Sequence, residues 1–166
     1  MKKSILVLLL AFPLFSFAIL KTWVGNAGDS WTNSSSWSPS GAPASTDDVE
    51  FNTSSTVLFS TDIQTIKSLK ITNNATVLIQ ANGSLAFGYI FGFPLTIDKG
   101  ATLQLTGINS ADNGVAMILD GTSAIDGTLD MLGGGNTRVE LFQGISSTAQ
   151  ITVTGKVRAG FTNIGG

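Results

Sequence analysis

Asp120, Asp126 and Asp130 are the residues of this chain whose type and spacing come closest to catalysis. Clustered carboxylates can divide general acid and general base duties between them, as they do in glycoside cleavage. Two of the three are followed by glycine, as turn residues are, and no neighbouring base stands beside them to tune them. The chain also has no histidine and no cysteine. That removes the common general base near neutral pH, the thiolate nucleophile and the usual zinc ligands. No catalytic residue, metal site or cofactor is expected, and the three aspartates read as turns.

Binding chemistry has a better candidate in Phe87-Gly-Tyr-Ile-Phe-Gly-Phe-Pro94, the densest aromatic stretch. Its two glycines let backbone and rings lie close to a flat partner such as a polysaccharide, so Tyr89, Phe91 and Phe93, if exposed, are the first candidates for binding a glycan or another protein. The competing reading is an irregular loop with its rings turned into a core, where Phe and Ile usually lie. Asp47 and Asp48 offer oxygen ligands to calcium, or a turn into the apolar run Val49–Phe51. Leu132-Gly-Gly-Gly-Asn136 lacks the aspartate of calcium-binding repeats and the helix of a phosphate loop, and reads as a wide turn. The sequons at Asn33, Asn52, Asn74 and Asn82 read as turn asparagines.

The elements that must position these residues are short strands. From Val57 onward, apolar alternations of about four to six residues are cut by Gly, Asn or Asp, and windows with helical spacing are missing. The runs are 66–71, 76–80, 85–87, 95–97, 102–106, 116–119, 128–132, 138–142 and 150–157. Superposing them exposes an imperfect repeat, clearest between Ile71–Ile79 and Ile97–Leu105 and looser at Leu119–Ile125 and Ile145–Val153. Ala75, Ala101, Ala124 and Ala149 mark corresponding points, 26, 23 and 25 residues apart. A period of this size belongs to a solenoid, in which each coil acquires an interior by stacking on the next.

The rival architecture is a β-sandwich, because Asn82-Gly83, Asp120-Gly121 and Asp126-Gly127 are hairpin signals. Only Thr122–Ile125 separates the last two, which is short for a hairpin strand but natural as one side of a coil. The expected fold is therefore all-β, a single-stranded parallel β-helix.

Residues 19–52 form a distinct zone, with Trp23, Trp31, Trp37, Pro39 and Pro43 in a Ser/Asn/Gly background. Its Trp23, Gly25, Trp31, Trp37, Gly41, Pro43, Asp47, Asp48, Val49 and Phe51 resemble a module that opens β-solenoid segments in bacterial surface proteins, including autotransporter-like adhesins. The resemblance covers about thirty residues, and it implies adhesion or scaffolding. Physically, the three tryptophans are expected to cap the first coil, which would otherwise expose core and strand edges.

The start of the chain bears on location. Lys2 and Lys3, the apolar run Ile5–Phe17, and the small residues Ser16 and Ala18 describe a secretory signal peptide over residues 1–18, cut before Ile19. That run is too short for a bilayer span, and no later one approaches the roughly 20 residues a helix needs. Without Lys2 and Lys3, seven basic residues face eleven acidic ones, a net charge of −4 that leaves no footprint for nucleic acid.

The expected organisation is signal peptide 1–18, Trp-rich cap 19–52 and solenoid coils 53–166. The expected function is a non-catalytic, extracellular scaffold or adhesion rod. The alternatives are a carbohydrate-binding module using Tyr89, Phe91 and Phe93, and a β-helix polysaccharide lyase or hydrolase, which would need its three acids on one groove. The last coil carries no evident cap, so self-association through it is also an expectation.

Overall fold

The computed structural model describes residues 18–59, 63–81, 87–107, 114–132, 137–141 and 150–159. In chain order the strands are β1 (Leu20–Trp23), β2 (Asp29–Ser30), β3 (Trp37–Ser38), β4 (Asp48–Phe51), β5 (Ser55–Phe59), β6 (Ile63–Thr65), β7 (Ser68–Ile71), β8 (Thr76–Ala81) and β9 (Phe87–Phe93). They continue with β10 (Leu95–Ile97), β11 (Thr102–Thr106), β12 (Gly114–Leu119), β13 (Thr122–Ile125), β14 (Thr128–Met131), β15 (Arg138–Leu141), β16 (Gln150–Val153) and β17 (Lys156–Ala159). A single 3-10 turn at Ser34–Ser36 is the helical element among the described residues.

Every third strand pairs with the next. Sheet A runs β16-β13-β10-β7-β4-β1-β3, sheet B β17-β14-β11-β8-β5-β2, and sheet C β15-β12-β9-β6. All these pairings are parallel except β1 with β3. The chain is a β-solenoid of about four turns, the coils from β4 onward visiting A, B and C in turn. The glycine pairs are therefore corners: Asp120-Gly121 leads from C to A and Asp126-Gly127 from A to B. Asn82-Gly83 lies outside the described residues.

Alternation along each strand makes the core a set of rows. In sheet A, Phe51 lies beside Ile71, Ile71 beside Ile97, and Ile97 beside Ile125. In sheet B the row is Val77, Leu103 and Leu129, and in sheet C it is Ile90, Met117 and Val139. Those of sheets A and B are at most 1% exposed, as are Ile90 and Met117. Parallel strands need a long return path, and here the two other sides of the coil supply it.

The repeat is present but slips in its later copies. The carbonyls of Ala75, Ala101 and Gly127 accept from Thr102 N, Thr128 N and Lys156 N at 2.8–2.9 Å, so Gly127 is the true third member of the column. Ala124 instead pairs with Thr96 in sheet A, and Ala149 lies outside the described residues. The reason is a change of corner. Thr72–Ala75 and Asp98–Ala101 are turns closed by Ala75 N to Thr72 O and Ala101 N to Asp98 O, both 2.9 Å. One coil later the A-to-B corner is only Asp126-Gly127, and after that Thr154-Gly155. That last corner splits the run expected over 150–157 into β16 and β17.

Polar residues also reach the inward face. Ser123, fully buried, follows Leu69 and Leu95 and its Oγ accepts from Leu95 N at 2.9 Å. Ser123→Ala leaves that amide buried without an acceptor, which costs about 1–3 kcal/mol. Urea titration should show the lower midpoint with an unchanged slope; an unchanged midpoint would remove the role assigned to Ser123.

Candidate functional site: the outer face of sheet C

Outward positions are free of the demands of the core, and the sheets use them differently. Across sheet A the outward row is Thr22, Glu50, Lys70, Thr96, Ala124 and Thr152. Across sheet C, one row is Ile63, Tyr89, Ala116 and Arg138, and the next is Thr65, Phe91, Ile118 and Glu140. Over β6, β9 and β12 sheet C thus carries two aromatic rings and three aliphatic side chains, where the row of sheet A is mostly hydroxyls and charges. Ile63 is 70% exposed, the largest exposure of any bulky apolar residue described. Tyr89, Phe91 and Ile118 are half-buried, and Ala116 is covered.

The stretch expected to be a loop or a binding patch is the seven-residue strand β9, held between β6 and β12. Tyr89 and Phe91 share its outer face, about 7 Å apart along the strand. Phe93 does not join them. Its side chain is fully buried, which corrects the expected Tyr89, Phe91 and Phe93 triad. The cause is Gly92, with φ of +73°, where the register with β12 shifts: Ile118 faces Phe91, but Leu119 faces Phe93. This one-residue bulge turns the next side chain into the core. Sequence alternation alone could not show it, although Gly before Phe93 is the signal such a bulge leaves. The expected run 85–87 has only Phe87 within the described residues, where it begins β9, and β6 was not anticipated.

The three aspartates are placed apart. Asp120 sits at the C-to-A corner, its Oδ1 accepting from Gly121 N at 2.7 Å. Asp126 is at the A-to-B corner and accepts from Thr154 Oγ1 of the next coil. Asp130 points outward from sheet B with its Oδ2 3.8 Å from Arg158 Nη1, also one coil on. A corner, another corner and a flat face do not form one groove. The partners of Asp126 and Asp130 were invisible in sequence because they lie a full coil away.

The acidic pair is likewise occupied by donors. Asp47, 5% exposed, accepts from Ala44 N at 2.9 Å and from Ile19 N at 3.4 Å. Asp48 accepts from Lys67 Nζ at 2.8 Å and Ser68 Oγ at 2.6 Å. Among the described residues no group of three or more acidic side chains could hold a metal ion. The Lys67 hydrogen bond, and after it that of Ser68, hold the Asp48 carboxyl below the usual aspartate range. A lowered folded pKa stabilises the fold above the unfolded value and loses that contribution as pH falls through the folded one. Acid titration of Asp48→Asn should therefore show a flatter fall in stability below the ordinary aspartate pKa. Superimposable profiles would mean that the pair, which is surface-exposed, contributes nothing.

The three tryptophans lie together on the first coil, 1–2% exposed. Trp23 and Trp37 meet edge to face at 4.9 Å, Trp31 and Trp37 at 5.0 Å, and Phe51 lies 5.6 Å from Trp23 and 5.7 Å from Trp37. Trp23 Nε1 donates to Ser55 Oγ at 3.0 Å and Trp37 Nε1 to Trp31 O at 2.7 Å. Trp31 Nε1 has no hydrogen-bond acceptor among the described residues. Lys21, 6% exposed, sits at the inward position beside Val49, and its ammonium donates to Pro39 O and Ser40 O at 3.0 and 3.2 Å. Nothing in the sequence marked it, since a lysine in a strand is ordinarily solvated.

Of the sequons, Asn33 caps the 3-10 turn by accepting from Ser35 N at 3.2 Å. Asn74 follows Asn73 in the left-handed region at the A-to-B corner, with φ of 56° and 53°. Asn82 and residues 133–136 of the glycine run lie outside the described residues. Comparison of the chain with family models, with curated proteins and with solved structures gives no match.

Proposed function

We propose that this protein is an exported, non-catalytic β-solenoid rod of the surface-scaffold or adhesin kind, and that its contact surface is the outer face of sheet C. The observation that carries this reading is the row pattern. Ile63, Tyr89, Phe91 and Ile118 form an apolar and aromatic strip outside the core, whereas the central outward row of sheet A is mostly hydroxyls and charges. A rigid ladder fixes the spacing of such a strip without further ordering cost, and exposed apolar strips rimmed by polar residues mark partner sites. The leader-like residues 1–18 and the Trp-rich opening support the export and adhesin parts of the reading.

A carbohydrate-binding module is the second reading, favoured by Tyr89 and Phe91 standing on one face with a phenol hydroxyl beside a plain ring. Sugar rings stack on such faces. A β-helix lyase or hydrolase draws no support from Asp120, Asp126 and Asp130, which lie on separate parts of the coil.

Purified protein beginning at Ile19, screened on extracellular polysaccharides and on whole-cell surfaces, tests both readings. A hit should weaken about tenfold or more in Phe91→Ser, the equivalent of losing ~1.4 kcal/mol, and should be unaffected by Asp126→Asn. Binding that is indifferent to both Phe91→Ser and Ile63→Ser would remove sheet C as the contact surface. The sugar reading additionally requires competition by a soluble oligosaccharide.

A further inference from the structure

Asp47 is a buried carboxylate met by neutral donors. It is 5% exposed, its Oδ2 accepts from Ala44 N at 2.9 Å and its Oδ1 from Ile19 N at 3.4 Å. The nearby lysine, Lys67, is taken by Asp48, and no lysine or arginine among the described residues forms an ion pair with Asp47. A carboxylate held away from water without a cation is costly, so a positive charge at Oδ1 would relieve it. The fold puts Ile19 on that spot. Asp48 N donates to Ile19 O at 3.0 Å and Lys67 N to Asp47 O at 2.9 Å, which makes Ile19, Asp47 and Lys67 successive rungs of one corner, just ahead of β1, β4 and β7. Ala18 and Ile19 are both exposed.

We propose that removal of the leader supplies that charge: cleavage between Ala18 and Ile19 turns the Ile19 amide into an α-ammonium, which pairs with Asp47 and locks the start of β1 onto β4. This rests on the export reading, which places the cut before Ile19 from the sequence. Hydrolysis there consumes one water and leaves a carboxylate on Ala18 and an amine on Ile19. That amine is protonated at neutral pH, because its ordinary pKa is about 7.7–8.0. The nitrogen already lies within reach of Oδ1, so the cut changes its charge and not its place. Charge-assisted hydrogen bonds are about twice as strong as neutral ones. β1 carries Trp23 and pairs with β3, which carries Trp37, so the lock acts on the aromatic cluster of the first coil. The uncut chain lacks the ion pair and is the less stable form; the chain gains stability on release from its leader.

Expression of residues 1–166 in a secreting host, followed by mass determination of the exported product, should place its first residue at Ile19. A product left uncut or cut elsewhere overturns this inference together with the export reading. The pairing itself is read on the chain from Ile19 to Gly166, with Ile19 N either free or acetylated. The acetyl group stands where Ala18 stood and removes only the charge. At neutral pH acetylation should lower the thermal midpoint by roughly 3 °C or more, hydrogen exchange should rise first in β1, and Asp47→Asn should abolish the difference between the two forms. Equal midpoints for the free and acetylated chains overturn the pairing and leave export standing, and so does an acetylation loss that persists undiminished in Asp47→Asn. Should Asp47→Asn fail to fold, the free and acetylated wild-type chains decide the matter by themselves.

Discussion

Trp37→Ala is expected to cost about 3–5 kcal/mol, the range for deleting a large buried aromatic side chain, and to open the first coil before the others. Trp37 is the hub of the aromatic cluster on the first coil. It meets Trp23, Trp31 and Phe51 at 4.9–5.7 Å, and its Nε1 donates to the carbonyl of Trp31. Removing it leaves a cavity beside rings that cannot collapse, since each is also held from below, Trp31 by Phe59 at 5.5 Å and Trp23 through Ser55. Coils contact only their neighbours, so the damage should be graded along the rod. Hydrogen exchange would show this as lost protection in β1, β2 and β4, with β11 and β14 least affected. Trp37→Phe should recover part of the loss. Uniform loss of protection in every coil would contradict the cluster as a local device.

Gly127→Ala is expected to be destabilising by about 3 kcal/mol, at the upper end for overfilling a packed interior. A methyl group there would sit 2.2 Å from Ala101 O and 2.5 Å from Asp98 O, both backbone atoms of the preceding corner. Ala101 O also accepts from Thr128 N at 2.9 Å, so it cannot retreat without breaking the ladder between β11 and β14. Gly155 repeats the situation one coil on, 1.9 Å from Gly127 O. The four-residue corner at Ala101 keeps room for a side chain, and the two-residue corner does not. Thermal unfolding of Gly127→Ala beside Ala101→Gly reads the difference. The first should fall steeply and the second by only about 1 kcal/mol, and equal falls would mean that corner length is irrelevant.

The same corner explains where the sequence could be followed and where it could not. Ile71–Ile79 and Ile97–Leu105 share a four-residue corner, so their alignment gave the correct step between β8 and β11. At Asp126-Gly127 the corner loses two residues, and aligning alanines there slid the third copy onto Ala124, which belongs to the preceding side of the coil. β9 was hidden because Gly88 and Gly92 are poor strand formers. It exists because β6 and β12 pair with it from both sides, information no local window contains. The tryptophans stood out by their density and position, while Lys21, which shares their coil, depends on carbonyls of Pro39 and Ser40 that only the fold brings near. At the proposed contact surface the aromatic content was legible and the facing was not, because a single bulge residue reversed Phe93.

Nuclear Overhauser contacts between backbone amide and α protons test the stacked parallel arrangement most directly. The account predicts contacts joining Leu103 to Val77 on one side and to Leu129 on the other, and Ile97 to Ile71 and Ile125, residues about 26 apart in sequence. Contacts that instead join β10 to β11 as antiparallel neighbours across Asp98–Ala101 would contradict it.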